Sequence, residues 1–470
     1  MSPLPRRCPP PPPACVDTTI ARRRHSVARH RGGRPGTAAL LAAALALTAC
    51  GGGGGESDPG TAGACDLVSQ QTDLRGYMRS WYYFSATMPD PAPEGFSSID
   101  DYFEALLAPE DSWSHVQSST SFEQFFEQGR SLGYGLFVAG QDDDPLPLRV
   151  RYVTPGSPAD GAGLRRGMIV DAIDGQDPAV LKATGDFGAL SPTASGQQLA
   201  LVVRDTPAAT PRSLSLIATV HALTPVAAPQ LFTSPGGRQV GYLYHMNFID
   251  GAGRRLADAL ARFKQAGVQD LVLDLRYNSG GYITMARDLA SAVAGPPQYG
   301  KVFARLNYNA QHQAQNVDYH LLATGLTTLD LTRLVVLSGP RTCSAAELVI
   351  NGLRPLIDVV QVGGTSCGKP YGFNPVSSCG RTWNAVNFQT TNSAGVGDYT
   401  SGLAPRCAAA DDFDHALGDP AEGLTARALA LIDGAACPVA AGAGAQALSS
   451  RGTARRLRPD GDPAWAAQMR

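Results

Sequence analysis

The stretch Leu334–Lys369, LVVLSGPRTCSAAELVINGLRPLIDVVQVGGTSCGK, leaves the chain little choice of architecture. Leu334 to Leu337 is a short apolar run rich in β-branched residues, the pattern of a buried strand. Gly339-Pro340 breaks it. Ala345 to Leu353 then has helical composition, with Gly352 and Pro355 near its end. A second apolar run, Val359–Val362, leads through Gly363-Gly364 to Lys369.

Ser344 falls at the strand-to-helix turn, beside the first free amides of the helix, where developing negative charge is favoured. Two readings fit. Ser344-Ala345-Ala346-Glu347 is an S-x-x-E capping box, which any helix can use. It is also a place for a nucleophile. Lys369, 25 residues further on, bears on the choice: the chain has four lysines, Lys182, Lys264, Lys301 and Lys369, and its other basic side chains are arginines. Arginine cannot release its proton in a protein, whereas a desolvated lysine becomes a neutral base near pH 7.

Three blocks, LVLDLRYNSGG (Leu271–Gly281), TCSAAE (Thr342–Glu347) and GGTSCGK (Gly363–Lys369), resemble in order the signature blocks of the S41 serine peptidases, the carboxy-terminal processing or tail-specific proteases. The resemblance runs from about Gly129 to Cys437. It implies a crotonase/ClpP-like α/β core, with Ser344 as nucleophile and Lys369 as general base. The oxyanion hole would use backbone N–H groups of Ala345 and of the Gly280-Gly281 turn, and no cofactor or metal. Many bacterial members place an orienting glutamine four residues after the lysine; this chain has Phe373 there. That departure sustains an alternative, a catalytically inactive binding or scaffold protein at the cell envelope. A Ser–His hydrolase is a third reading, with His115, His221, His245, His312, His320 and His415 as candidates, none beside a recognisable motif.

The amino terminus carries an address. The first 49 residues hold eight arginines against one acid, then an apolar stretch from Thr37 to Ala49, too short to span a bilayer. Leu47-Thr48-Ala49-Cys50 resembles the bacterial lipobox, which makes Cys50 a lipidated N-terminus followed by a Gly-rich linker over 50–64. An ordinary signal peptide is the competing reading. The expected location is the cell envelope, anchored by lipid and facing the periplasm, at the outer membrane in preference to the inner. The whole chain has a net charge of −2, so without its basic leader it is more acidic still, which argues against nucleic acid as a partner. Cys65, Cys343, Cys367, Cys379, Cys407 and Cys437 form an even set, suited to disulfides in an oxidising compartment. Zinc is the rival reading, but the set lacks a C-x-x-C pair and neighbouring histidines. Cys343 and Cys367 flank the candidate nucleophile and base, hinting at a bridge between them.

In chain order, residues 65–128 read as a small helical domain, with aromatic spacing typical of core (Trp81, Tyr82, Phe84; Tyr102, Phe103; Phe122, Phe125, Phe126). Residues 129–222 resemble a PDZ domain of the bacterial protease type. Strands are expected from Gly133, over Leu148–Val153, Leu199–Val203 and Leu214–Val220. By that resemblance the loop Gly133-Tyr134-Gly135-Leu136-Phe137 captures the free C-terminus of a protein or peptide substrate by strand addition. Residues 223–437 form the catalytic domain, with a strand from Val240, a helix from about Arg254 to Gln265, and a buried strand Leu271–Leu275. Asp274 and Arg276 are expected in structural ion pairs. The tail 438–470 is Ala/Gly/Arg-rich and reads as disordered.

Overall fold

The computed structural model describes residues 65–140, 147–227 and 229–437. The leader (1–49), Cys50, the linker (50–64) and the tail (438–470) lie outside the described residues. Among the described residues no helix is long and apolar enough to cross a membrane.

The amino-terminal part has α1 (Leu67–Trp81), α2 (Ile99–Ala105), β1 (His115–Ser118) and α3 (Ser119–Phe126). The first two helices start on side-chain caps, Asp66 accepting the Ser69 N–H and Ser98 the Asp101 N–H. Their core gathers Leu74, Met78, Tyr82, Tyr102, Phe103 and Trp113. Beside the helices expected here the region holds β1, whose partner lies far along the chain.

A β-rich module follows: β2 (Arg130–Gly133), β3 (Leu136–Ala139), β4 (Arg149–Val153), α4 (Pro158–Gly161), β5 (Ile169–Ile173), α5 (Pro178–Thr184), β6 (Gln198–Arg204), β7 (Arg212–Ile217) and β8 (Thr219–Ala222). Its five-stranded antiparallel sheet runs β3-β4-β5-β6-β7, and β2 pairs separately with β8. Two expected strands therefore divide. Tyr134-Gly135 separates β2 from β3, with Gly135 at φ +68°, and the run expected over Leu214–Val220 breaks at the buried Ala218. A side chain at Gly135 would meet Ser157 at 2.2 Å.

The α/β core comprises β9 (Gln230–Thr233), β10 (Gln239–Tyr244), α6 (Ala252–Gln265), β11 (Asp270–Asp274), α7 (Ile283–Ala294), β12 (Val302–Tyr308), β13 (Val317–His320), β14 (Arg333–Ser338), α8 (Ala345–Leu353), β15 (Asp358–Gly363), β16 (Tyr371–Phe373), β17 (Val376–Ser378), β18 (Arg381–Asn384), β19 (Val386–Thr391), β20 (Cys407–Ala408) and α9 (Gly423–Ile432). The main sheet runs β20-β15-β14-β11-β10-β9, parallel except for β9. Its strands read as continuous apolar runs because both faces are covered. Leu271 and Leu273 face α6, α7 and α8, while Val272 faces α9 with Leu424, Ala428 and Ile432. On α6, Leu256, Ala259, Leu260 and Phe263 recur at the spacing of one helical face and are buried. A second antiparallel sheet, β13-β12-β19-β16, adjoins this core. Finally β1 pairs with β18, His115 opposite Asn384, so the amino-terminal part shares a sheet with the chain just after Lys369.

Among the described residues three disulfides brace the fold: Cys65–Cys379, Cys343–Cys367 and Cys407–Cys437. Asp274 and Arg276 form the expected structural pair. Arg276 is almost wholly buried and donates to Asp274 (3.0 Å), Asp411 (2.8 Å) and Glu422 (2.6 and 2.9 Å), tying the end of β11 to the start of α9. Tyr242 Oη completes the cluster on Asp274 at 2.6 Å.

Candidate active site

Ser344 ends the turn between β14 and α8 with φ +54° and ψ −117°, a conformation that a side-chain-bearing residue adopts only under constraint. The constraint is visible. Thr342 Oγ1 donates to Leu275 O (2.8 Å) and accepts the Gly339 N–H (2.9 Å), and the Cys343 N–H donates to Asn278 O (2.9 Å). The Ser344 N–H donates to Glu347 Oε2 at 2.9 Å.

Glu347 does more than close a helix end. Its carboxylate, fully buried, also accepts Ser366 Oγ (2.6 Å), the Gly368 N–H (2.8 Å) and the Lys369 N–H (2.8 Å). One side chain thus fastens the Ser344 turn to the Lys369 turn. Burial pushes its carboxyl up to about 7, against the lowering effect of those donors. The capping-box spacing was the sequence signal for Glu347; its reach to the lysine turn had none. The Cys343–Cys367 disulfide makes a second tie between the two turns. Cys343, Cys367 and Glu347 lie within ligand range of one another, but the bridged sulfurs offer no thiolates to a metal.

Lys369 is 2% exposed. Its Nζ stands 4.1 Å from the ring centre of Phe373 and 5.5 Å from that of Trp113. Desolvation lowers its amine to about 7, with Asp111 and Glu347 acting in the opposite direction. Phe373, standing where a glutamine was expected, is therefore a wall of the lysine pocket. Trp113 escaped sequence reasoning because nothing local links it to a lysine 256 residues away. Of the six candidate histidines, His115 stands at this pocket, its ring edge-on to Phe373 at 5.5 Å. Burial, then the charge of Lys369, hold it down at about 3, so it is a neutral imidazole.

Gly280 and Gly281 have φ of +108° and +131°. A Cβ on Gly280 would meet Ser344 Cβ at 2.8 Å and Ala345 N at 3.2 Å, so this glycine lies directly against the serine turn. The Gly280 N–H is donated to Asn278 Oδ1 at 2.8 Å, and Gly280 O accepts the Phe248 N–H.

The loop Gly133–Phe137 lies in the β-rich module with its side chains turned inward. Tyr134 and Leu136 belong to the module's own core, and Phe137 to the cluster against the main sheet. A ligand there meets backbone rather than these side chains. Arg166 of the same module donates to Tyr277 Oη (2.7 Å) and Asp411 (2.6 Å). Tyr277 directly precedes Asn278, so the module rests on the base of the loop that carries Gly280 and Gly281.

Comparison with known proteins follows this geometry. Residues 239–382 match the model of peptidase family S41, and residues 69–115 that of the peptidase S41 N-terminal domain. Those two segments are similar to peptidase family S41. The carboxyl-terminal-processing protease of Synechocystis is 28% identical over 276 residues, 59% of this chain and 60% of the relative. The chloroplastic carboxyl-terminal-processing peptidase 2 of Arabidopsis thaliana is 28% identical over 192 residues, 39% of this chain and 35% of the relative. The chain thus spans about 60% of the length of the Synechocystis relative. A crystal structure from Bacteroides fragilis, of a chain assigned to the S41 proteases, superposes with a TM-score of 0.61 at 24% identity. It covers 77% of this chain and 97% of its own, so the two share a fold.

Proposed function

We propose that the chain is an exported serine endopeptidase of the S41 type that cleaves peptide bonds through a Ser344–Lys369 dyad. In this reading neutral Lys369 takes the Ser344 hydroxyl proton as the serine oxygen bonds to the substrate carbonyl carbon, and the carbonyl electron pair moves onto its oxygen. The Ala345 and Gly281 N–H groups receive that oxyanion, with Gly280 shaping the approach. Lys369 returns the proton to the leaving amine, and water then cleaves the acyl-enzyme by the same steps.

The observation that carries the reading is the joint fastening of Ser344 and Lys369 to Glu347, with the lysine amine buried and lowered to about 7. The β-rich module supports a PDZ-like role. Its β3 stands at the sheet edge, the arrangement from which a peptide C-terminus is taken up as an added strand. Lipid attachment at Cys50 on the periplasmic side belongs to the same proposal and rests on the sequence around Leu47–Cys50.

The test is cleavage of an unstructured peptide reporter by the wild type, Ser344→Ala and Lys369→Arg forms, with circular dichroism to follow folding. Loss of turnover in both folded variants is expected. Turnover near wild type in folded Lys369→Arg would remove the dyad.

A further inference from the structure

We propose that Trp113 and Phe373 are positioning residues for Lys369, two aromatic faces that hold its amine in place and keep water from it. The proposal rests on the dyad reading above and adds to it two aromatic walls around the base.

The two rings approach from opposite parts of the chain, and each is itself held. Phe373 is the last residue of β16, where the register against β19 shifts between Gly372 and Phe373. Such an irregularity re-aims a side chain, and here Phe373 stands with its ring centre 4.1 Å from Lys369 Nζ. The His115 ring backs it edge-on. Trp113 is 5% exposed, and its turn is pinned by Asp111, whose Oδ1 accepts the Trp113 N–H (2.8 Å) and the Ser114 N–H (3.0 Å). Tyr82 Oη fixes the other Asp111 oxygen at 2.6 Å, and Ser114 Oγ accepts the Val386 N–H at 2.9 Å.

Two effects follow. With apolar ring surface around it the amine lacks the hydration that an ammonium needs, so it rests neutral. When it takes the serine proton, the ring faces present negative charge density to the new ammonium, in a place where no bulk water can do so. The titratable groups facing the amine are Asp111 and Glu347, which both favour the charged form, and the neutral imidazole of His115.

The test uses the purified full chain with 13C-labelled lysine. With four lysines, Lys369 is assigned by its loss in Lys369→Arg. The Lys369 titration midpoint is read by NMR, and kcat and KM are measured in parallel. Phe373→Ser admits water and is expected to raise the midpoint by about one pH unit or more, leaving about a tenth of the amine neutral at pH 7 and lowering kcat there about fivefold or more with KM little changed. Phe373→Leu stays apolar but loses the ring face, and is expected to lower the midpoint. Phe373→Tyr restores the parental value, and Trp113→Phe stays close to it. Unmoved midpoints in folded Phe373→Ser and Phe373→Leu overturn the proposal, because a merely structural role leaves them in place. Activity of the Lys369→Arg form would instead strike the dyad. The NMR midpoints decide the clamp whatever the turnover.

Discussion

Lys369 and Ser344 donate their backbone N–H groups to the same carboxylate oxygen, Glu347 Oε2, at 2.8 and 2.9 Å. The two turns that carry the proposed dyad therefore have one common anchor. Glu347→Gln keeps the shape but replaces one acceptor oxygen by a donor, against four converging donors. It is expected to fold and to lose about 10- to 100-fold in kcat. Glu347→Ala leaves buried N–H groups unpaired and is expected to cost about 2–4 kcal/mol of stability, read as the urea midpoint at unchanged m-value.

The pH dependence follows from burial at the same site. Lys369 is held down at about 7, so kcat/KM is expected to rise with pH through a midpoint near 7. His115 and His245 are both depressed to about 3 by burial and stay neutral across that range. Because the folded-state pKa of Lys369 lies below its unfolded value, its contribution to stability is present above about 10.5 and is lost as pH falls toward 7. Glu347 has the opposite sign. Its folded value is raised, so its contribution is present below about 4.5 and is lost as pH rises toward 7. A pH–rate profile with no limb between about 6 and 8 would contradict the lysine assignment.

Cys343 immediately precedes Ser344, and Cys367 lies two residues before Lys369. Their bridge closes a sequence separation of 24 residues, for which chain entropy alone suggests about 3 kcal/mol. The double variant Cys343→Ser, Cys367→Ser is expected to lower Tm by several degrees. It is also expected to lose more activity than that destabilisation explains, measured well below the new Tm. Full activity in the double variant would show that Glu347 alone suffices to hold the turns.

Arg276 is enclosed by Asp274, Asp411 and Glu422 beneath the glycine loop. Arg276→Ala leaves the buried carboxylates of Asp274 and Glu422 without their cation, while Asp411 keeps Arg166, and is expected to destabilise the protein by about 3–5 kcal/mol. Arg276→Lys cannot reproduce the forked contacts and is expected to fall between wild type and alanine. Chemical denaturation of the three forms checks the order.

The main sheet was legible because its strands are short apolar runs bounded by glycine and proline. The runs at Leu334–Leu337 and Val359–Val362 sit inside β14 and β15. The serine turn was equally plain, since a helix start with a small-residue motif is a local feature. What stayed hidden depends on distant partners. β1 is polar and short, and earns its place as a strand only opposite β18. β13, Val-Asp-Tyr-His, has no clear alternation because it lies on an exposed sheet edge. Six cysteines allow 15 connectivities, so Cys65–Cys379 was beyond reach. The engagement of the Gly280 amide by Asn278 is likewise a matter of loop conformation that spacing does not encode.

The ladder between β1 and β18, with the disulfide joining residues 314 positions apart, sets the order in which this molecule becomes competent. Local helices and the parallel strands have partners close by in sequence and form early, whereas pairings across hundreds of residues come late. A nascent chain that has not yet reached Asn384 has the Ser344 turn but lacks the strand that seats residues 111–115 beside the lysine. Until then water reaches the amine and keeps it protonated. The distance in sequence between the two walls thus acts as a built-in delay in closing the lysine pocket.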